Sequence, residues 1–164
     1  MAVTKSNLIT NLDANPSVMN EVGLLGARVR VAMDTFEVAS ADMDADGDIV
    51  RLVRLPTNCR VFSIKLWSDD MGGSGTIDCG IYPTDSDTAK DDDYYATDFD
   101  SSGQATAGTE LRFHTADINT ASKYLWESAG DTSDPGGHYD ICLTAEAGFS
   151  GAYTCTFQVL YTID

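Results

Sequence analysis

Polar and apolar positions alternate most cleanly over the last stretch of the chain, His138 to Asp164. Two antiparallel strands are expected there, joined by the turn Ala147-Gly148-Phe149-Ser150-Gly151, because β-branched and aromatic residues alternate with polar ones on both sides of a glycine-bounded loop. In the second strand Tyr153, Cys155, Phe157, Val159, Tyr161 and Ile163 share one face. Thr154, Thr156, Gln158 and Thr162 share the other, and Leu160 alone breaks the rule. One face of this hairpin must be covered, and the earlier strands are expected to cover it.

Upstream, Val29, Val31 and Met33 alternate with Arg28, Arg30 and Ala32 and are expected to point inward. The period from Asp48 to Leu55 is ambiguous. Cys59 to Trp67 alternates again, with Phe62, Ile64 and Leu66 on one face. Gly72 to Gly75 makes a turn into the strand Thr76 to Tyr82, which Pro83 ends. Short strands separated by turns at this spacing predict an all-β chain, an antiparallel β-sandwich.

Two stretches depart from the pattern. Residues 1–26 carry Asn, Pro and Gly at positions that break any long period, with Leu8, Ile9, Leu12, Val18, Met19 and Val22 as scattered apolar anchors. They read either as a frayed terminus or as an extended arm that orders on a neighbouring subunit. Residues 84–121 are polar and acidic and read as a loop insertion in the sandwich domain 27–164, with Tyr94, Tyr95 and Phe99 available to pin it. Within it Glu110 to His114 resembles a short strand. Residues 121–129 after it read as a helical turn.

Charge narrows the function. With 10 basic and 26 acidic residues the formal net charge is −16, which argues against a nucleic-acid partner because phosphate binding needs a positive field. Acid dominates from Asp69 to Asp140, whereas most of the arginines lie before it, so a dipolar surface is expected. No apolar stretch resembles a secretory signal, and none approaches the ~20 residues of a membrane span. A soluble protein made in the cytoplasm is expected.

Candidate chemistry is sparse. Asp42, Asp44, Asp46 and Asp48, with Gly47, match the opening of a calcium loop, in which alternate carboxylates converge on one hard cation. The twelfth position is Val53 rather than a bidentate Glu, and an Asp-Gly hairpin turn is the competing reading. Asp91-Asp92-Asp93 reads as a solvated charge run. Strand parity places Cys79 and Cys155 inward and Cys59 and Cys142 outward. That disfavours a Cys142–Cys155 bridge and leaves Cys79–Cys155 open. There is no zinc-ligand spacing. His114 and His138 belong to no nucleophile motif, and the many carboxylates have no geometry for glycoside chemistry. No enzyme activity is expected.

The runs VTKSNLITNLDANP, GDIVRLVRLP with RVFSIKL, IDCGIYPT, YLWESAG and the terminal hairpin resemble small head structural proteins of tailed bacteriophages, the decoration or cement proteins. The resemblance spans most of the chain outside 84–121. It implies a jelly-roll-like sandwich, often trimeric, bound to the major capsid protein on the outside of an icosahedral shell, and so a virion location. It transfers no active-site residue. The physics agrees, since a ligand of the assembled shell stabilises it by mass action and multivalency. The alternative is a carbohydrate- or receptor-binding sandwich of a fibre or spike, presenting Trp67, Trp126 or Tyr94-Tyr95 in a groove.

Overall fold

The computed structural model describes residues 4–100, 106–146 and 148–163; Ala147 of the expected hairpin turn and positions 101–105 of the acidic stretch lie outside them. Among the described residues there are eight strands: β1 (Arg30–Val38), β2 (Ile49–Pro56), β3 (Cys59–Ser68), β4 (Thr76–Pro83), β5 (Asp91–Asp100), β6 (Thr106–Glu110), β7 (His138–Ala145) and β8 (Tyr153–Ile163). Helix α1 (Asn7–Asp13) precedes them, and a single turn, α2 (Leu125–Ser128), lies between β6 and β7.

The strands form two four-stranded antiparallel sheets, in the orders β1-β8-β3-β6 and β2-β7-β4-β5. Strand β1 pairs with β8, β2 with β7, β3 with β6 and β4 with β5. The chain is thus one long hairpin, tipped by the β4–β5 turn, with β8 also paired to β3 and β7 to β4. This is the eight-strand, two-sheet order of a jelly roll. Alternate residues of β8 (Tyr153, Cys155, Phe157 and Val159) and of β4 (Ile77, Cys79 and Ile81) are buried in one apolar core.

Two bulges explain where parity alone misleads. In β2 the register shifts between Arg51 and Val53, so Leu52 is an extra residue. Both Arg51 and Arg54 then lie on the outer face, opposite Cys142 and Asp140, while Val50, Val53 and Leu55 pack against the core. In β3 the shift lies between Val61 and Ser63, and Phe62 is the extra residue. Cys59 therefore shares the inner face with Val61, Ile64 and Leu66, and its expected outward position is corrected. Cys142 does sit on the outer face, but it too is buried. All four cysteines are free thiols.

The acidic stretch is not a loop insertion. Asp91–Asp100 is the edge strand β5, and residues 106–110 form β6. Edge strands tolerate charge because one side of the ladder faces water. Tyr95, Ala96 and Phe99 reach the core. Gly80 of β4 is required here, since a Cβ at that position would sit 2.2 Å from the Asp91 carbonyl oxygen. The expectation for β1 is also corrected. Val29, Val31 and Met33 are each 59 % exposed, and Phe36 and Val38 face the core instead.

On the outer face of the second sheet, Asp140 is clamped between two arginines. Arg51 Nη1 donates to Oδ2 at 2.8 Å, Arg54 Nε to Oδ1 at 2.8 Å and Arg54 Nη2 to Oδ2 at 3.0 Å. Burial alone would raise the Asp140 pKa, but the hydrogen bonds from Arg54 and Arg51 outweigh it and hold the carboxyl below its ordinary value. A depressed folded pKa contributes stability above the unfolded value of about 3.9, and that contribution is lost as pH falls through the folded one. Asp140→Asn is expected to cost about 2 kcal/mol at pH 7, roughly 6 °C in Tm. In thermal melts the difference from the parent should shrink as pH falls below the unfolded value of about 3.9.

Candidate functional site

Exposed apolar side chains are concentrated at one place. Among the described residues, ten of the eleven large apolar side chains left in water lie between Ile9 and Met33; the other is Ile118. Monomeric proteins scatter such residues singly, so a concentration marks an interaction surface. The same segment is the acid-poor part of the chain. Residues 1–33 carry Lys5, Arg28 and Arg30 against Asp13 and Glu21, a formal charge of +1 within a chain of −16.

The segment has two parts. The first, expected as an extended arm, is a compact hook. The Ser6 hydroxyl caps α1 by accepting from the Ile9 N–H at 3.4 Å, as N-cap serines do. Leu8, Ile9 and Leu12 fall at helical spacing. The chain then turns back. Val18 N–H donates to the Asn11 carbonyl at 2.9 Å. Asn11 Nδ2 donates to Asn20 Oδ1 at 2.8 Å, and Asn20 Nδ2 to the Leu8 carbonyl at 3.1 Å. No residue of α1 is buried, and Val18, Met19 and Val22 are 52 %, 89 % and 62 % exposed.

The hook is tied to the sandwich at its base. Glu21 forms an ion pair with Arg60, which is only 1 % exposed. The Arg60 guanidinium lies 3.7 Å from the Tyr124 ring centroid, and its Nε donates to the Ser122 carbonyl at 2.8 Å. Thr162 Oγ1 donates to the Gly23 carbonyl at 3.5 Å. The hook is therefore held at a fixed place while its apolar side chains face water.

The second part is the outer face of the first sheet. Register places Val31 beside Leu160 and Ser63, Met33 beside Gln158 and Lys65, and Thr35 beside Thr156 and Trp67. Gln158 Nε2 lies 4.0 Å from the Met33 sulfur, and the Thr35 and Thr156 hydroxyls are 2.8 Å apart. Leu160, the one break in the alternation of β8, thus belongs to an apolar stripe with Val29, Val31 and Met33. Sequence reasoning missed this stripe because it sent the β1 valines inward. The signal was present in Leu160, whose outward partner had to be apolar to make sense of it.

The other sequence candidates are not brought together in the same way. Asp42 Oδ2 accepts from Ala39 N–H at 3.1 Å and Asp48 Oδ2 from Ala45 N–H at 2.8 Å, both as turn-forming contacts. The loop is closed by backbone bonds, Gly47 N–H to the Ala145 carbonyl and Phe149 N–H to the Met43 carbonyl. Among the described residues the carboxylates of Asp42, Asp44, Asp46 and Asp48 form no cluster of three, whereas one oxygen from each of Asp91, Asp92 and Asp93 lies within 4.8 Å of the others. Tyr95 is buried, Trp126 stacks on Tyr124, and Trp67 lies over Gly108. Trp67 lines a shallow depression with Thr154 and Thr156.

No protein-family model matches the chain, and no curated protein matches it. Two of the solved structures that match it are the following. One is a chain of the capsid asymmetric unit of cyanophage Pam1, with 16 % identity, full coverage of both chains and a TM-score of 0.47. The other is a chain of the capsid of Ralstonia phage GP4, with 21 % identity over 82 % of this chain and 85 % of that one and a TM-score of 0.49. Both neighbours are phage capsid chains.

Burial, and then the neighbouring Asp93 carboxylate, push the Asp91 carboxyl up to about 6. A carboxyl whose folded pKa is raised favours the fold when protonated, so stability falls as pH rises from about 4 through 6. Asp91 is half-buried, and solvent screening reduces the effect to about 1 kcal/mol. Asp91→Asn should raise Tm by about 3 °C at pH 7 and leave it unchanged near pH 4, read by calorimetry at the two pH values.

Proposed function

We propose that this chain is a structural virion protein that binds the outside of an assembled icosahedral phage capsid and stabilises it, with the major capsid protein as partner. The observation that carries the reading is the hook: an anchored, near-neutral segment on the sandwich whose side chains Ile9, Leu12, Val18, Met19 and Val22 face water. Such a segment suits a protein that adheres to a repeating surface. The sequence resemblance to decoration proteins supplies the class of surface. Binding only the assembled lattice shifts the shell toward its assembled state by mass action, and many weak contacts repeated over a lattice act together.

The aromatic residues offered for the alternative, a carbohydrate-binding module, do not converge. Tyr95 is in the core and Trp126 is taken up by Tyr124.

Two measurements test the proposal. In purified virions the chain should be present at a copy number comparable to that of the most abundant shell protein. A few tens of copies per particle would assign it to a fibre or tail instead. Deleting residues 2–20, which keeps Glu21 for Arg60, should lower binding to expanded shells at least tenfold in a co-sedimentation assay while Tm changes by less than about 3 °C. Undiminished shell binding by that truncation would remove the hook from the mechanism.

A further inference from the structure

Within one chain, the hook and the β1 stripe are two apolar surfaces that leave each other uncovered. They are neighbours by construction. The base of the hook is pinned at Gly23 by Thr162, two residues beyond Leu160 in β8, and Arg30 at the start of β1 pairs with Tyr161. Yet Met19 remains 89 % exposed and Val31 and Met33 59 % exposed. The hook's own hydrogen bonds, from Asn20 to Asn11 and Leu8, fold it onto itself rather than across the sheet.

We infer that the outer face of the first sheet, centred on Val31, Met33 and Leu160, is the receptor for the hook of a second copy of this chain. The inference rests on the hook being an interaction segment, as proposed above, and names what it grips: the hook joins copies, the joined copies present several sandwiches to the shell at once, and losing the hook lowers shell binding through lost multivalency. Three observations select a second copy as the occupant. The first is that donor and receptor are both uncovered in every copy, so exchanging hooks covers both at once; swapping an identical element is a low-cost route to a symmetric assembly.

The second is charge. Two chains of −16 repel over most of their surfaces. The hook and the β1 residues of the stripe belong to the segment whose formal charge is +1, and in the Met33 row Lys65 is balanced by Glu110. Copies can therefore meet at this place without opposing their acidic strands. The third is the edge. Strand β1 has β8 on one side and no strand on the other, so the stripe runs to an open border that an incoming segment can straddle.

The test uses the isolated full-length chain, with no shell present. Sedimentation equilibrium at about 50 µM in 0.15 M salt should give a mass that is a whole multiple of 17.6 kDa. Val31→Asp and, separately, Met33→Asp should return it to 17.6 kDa with circular dichroism and Tm unchanged, because both side chains are exposed. Single-cysteine variants then report the partner. All four native thiols are buried, so a mixture of Met19→Cys chains and Met33→Cys chains can be oxidised with little background. A disulfide-linked dimer on a non-reducing gel is expected from the mixture and from neither variant oxidised alone, and it can form only between copies. If Met19→Cys fails to reach its mate, Val18→Cys and Val22→Cys against Val31→Cys repeat the trial.

A wild-type chain that stays at 17.6 kDa overturns the inference, as does an oligomer that survives both aspartates. Cross-links confined to Met33→Cys pairs would mean that the stripe meets itself, which also overturns it. A monomer that loses shell binding on Met33→Asp would give the stripe to the shell protein instead. An oligomer with the expected cross-links that binds no shell would leave this inference standing and remove the capsid role.

Discussion

Strand β8 is hydrogen-bonded along both edges, to β1 on one side and to β3 on the other, and the rest of the molecule takes its place from that pairing. Its inward residues Tyr153, Cys155, Phe157 and Val159 are buried in the core, so a one-residue slip would turn all four to water. Because β8 is held in register, β1 can place Phe36 and Val38 inward, and Thr162 reaches the Gly23 carbonyl at the base of the hook. Core, apolar stripe and hook are therefore set by one strand.

The legible parts of the sequence are those where local pattern and tertiary demand coincide. The alternation of β8, broken only at Leu160, is clear because that strand is central, covered on one face and paired on both edges. Strand β1 is an edge, and its two faces both carry apolar residues: Val31 and Met33 on one, Ala32, Phe36 and Val38 on the other. Alternation identified the strand but could not say which face the core would take. The Asp91-Asp92-Asp93 start of β5 concealed a strand for a related reason. Charge is tolerated on an edge, and the pairing with β4 breaks register twice, so no period survives to be read.

Bulges produced the remaining misreadings. One extra residue at Phe62 reverses the parity of everything before it in β3 and brings Cys59 into the core. One at Leu52 puts Arg51 and Arg54, three apart in sequence, on the same outward face, where they grip Asp140. Neither bulge is marked by glycine. As for the candidate site, the hook was legible as a segment because its apolar residues had no strand to belong to. The apolar stripe on β1 was not, since recognising a patch requires knowing which of two faces is left bare.

The order of pairing along the chain has a consequence in time. Thr35 and Thr156 meet across 121 positions of sequence, and β8 is the last strand while β1 is the first. During synthesis β1 must wait, unpaired, until β8 has been made, and such long-range pairing is slow. Val31 of β1 and Leu160 of β8 therefore become neighbours only in the step that completes the first sheet.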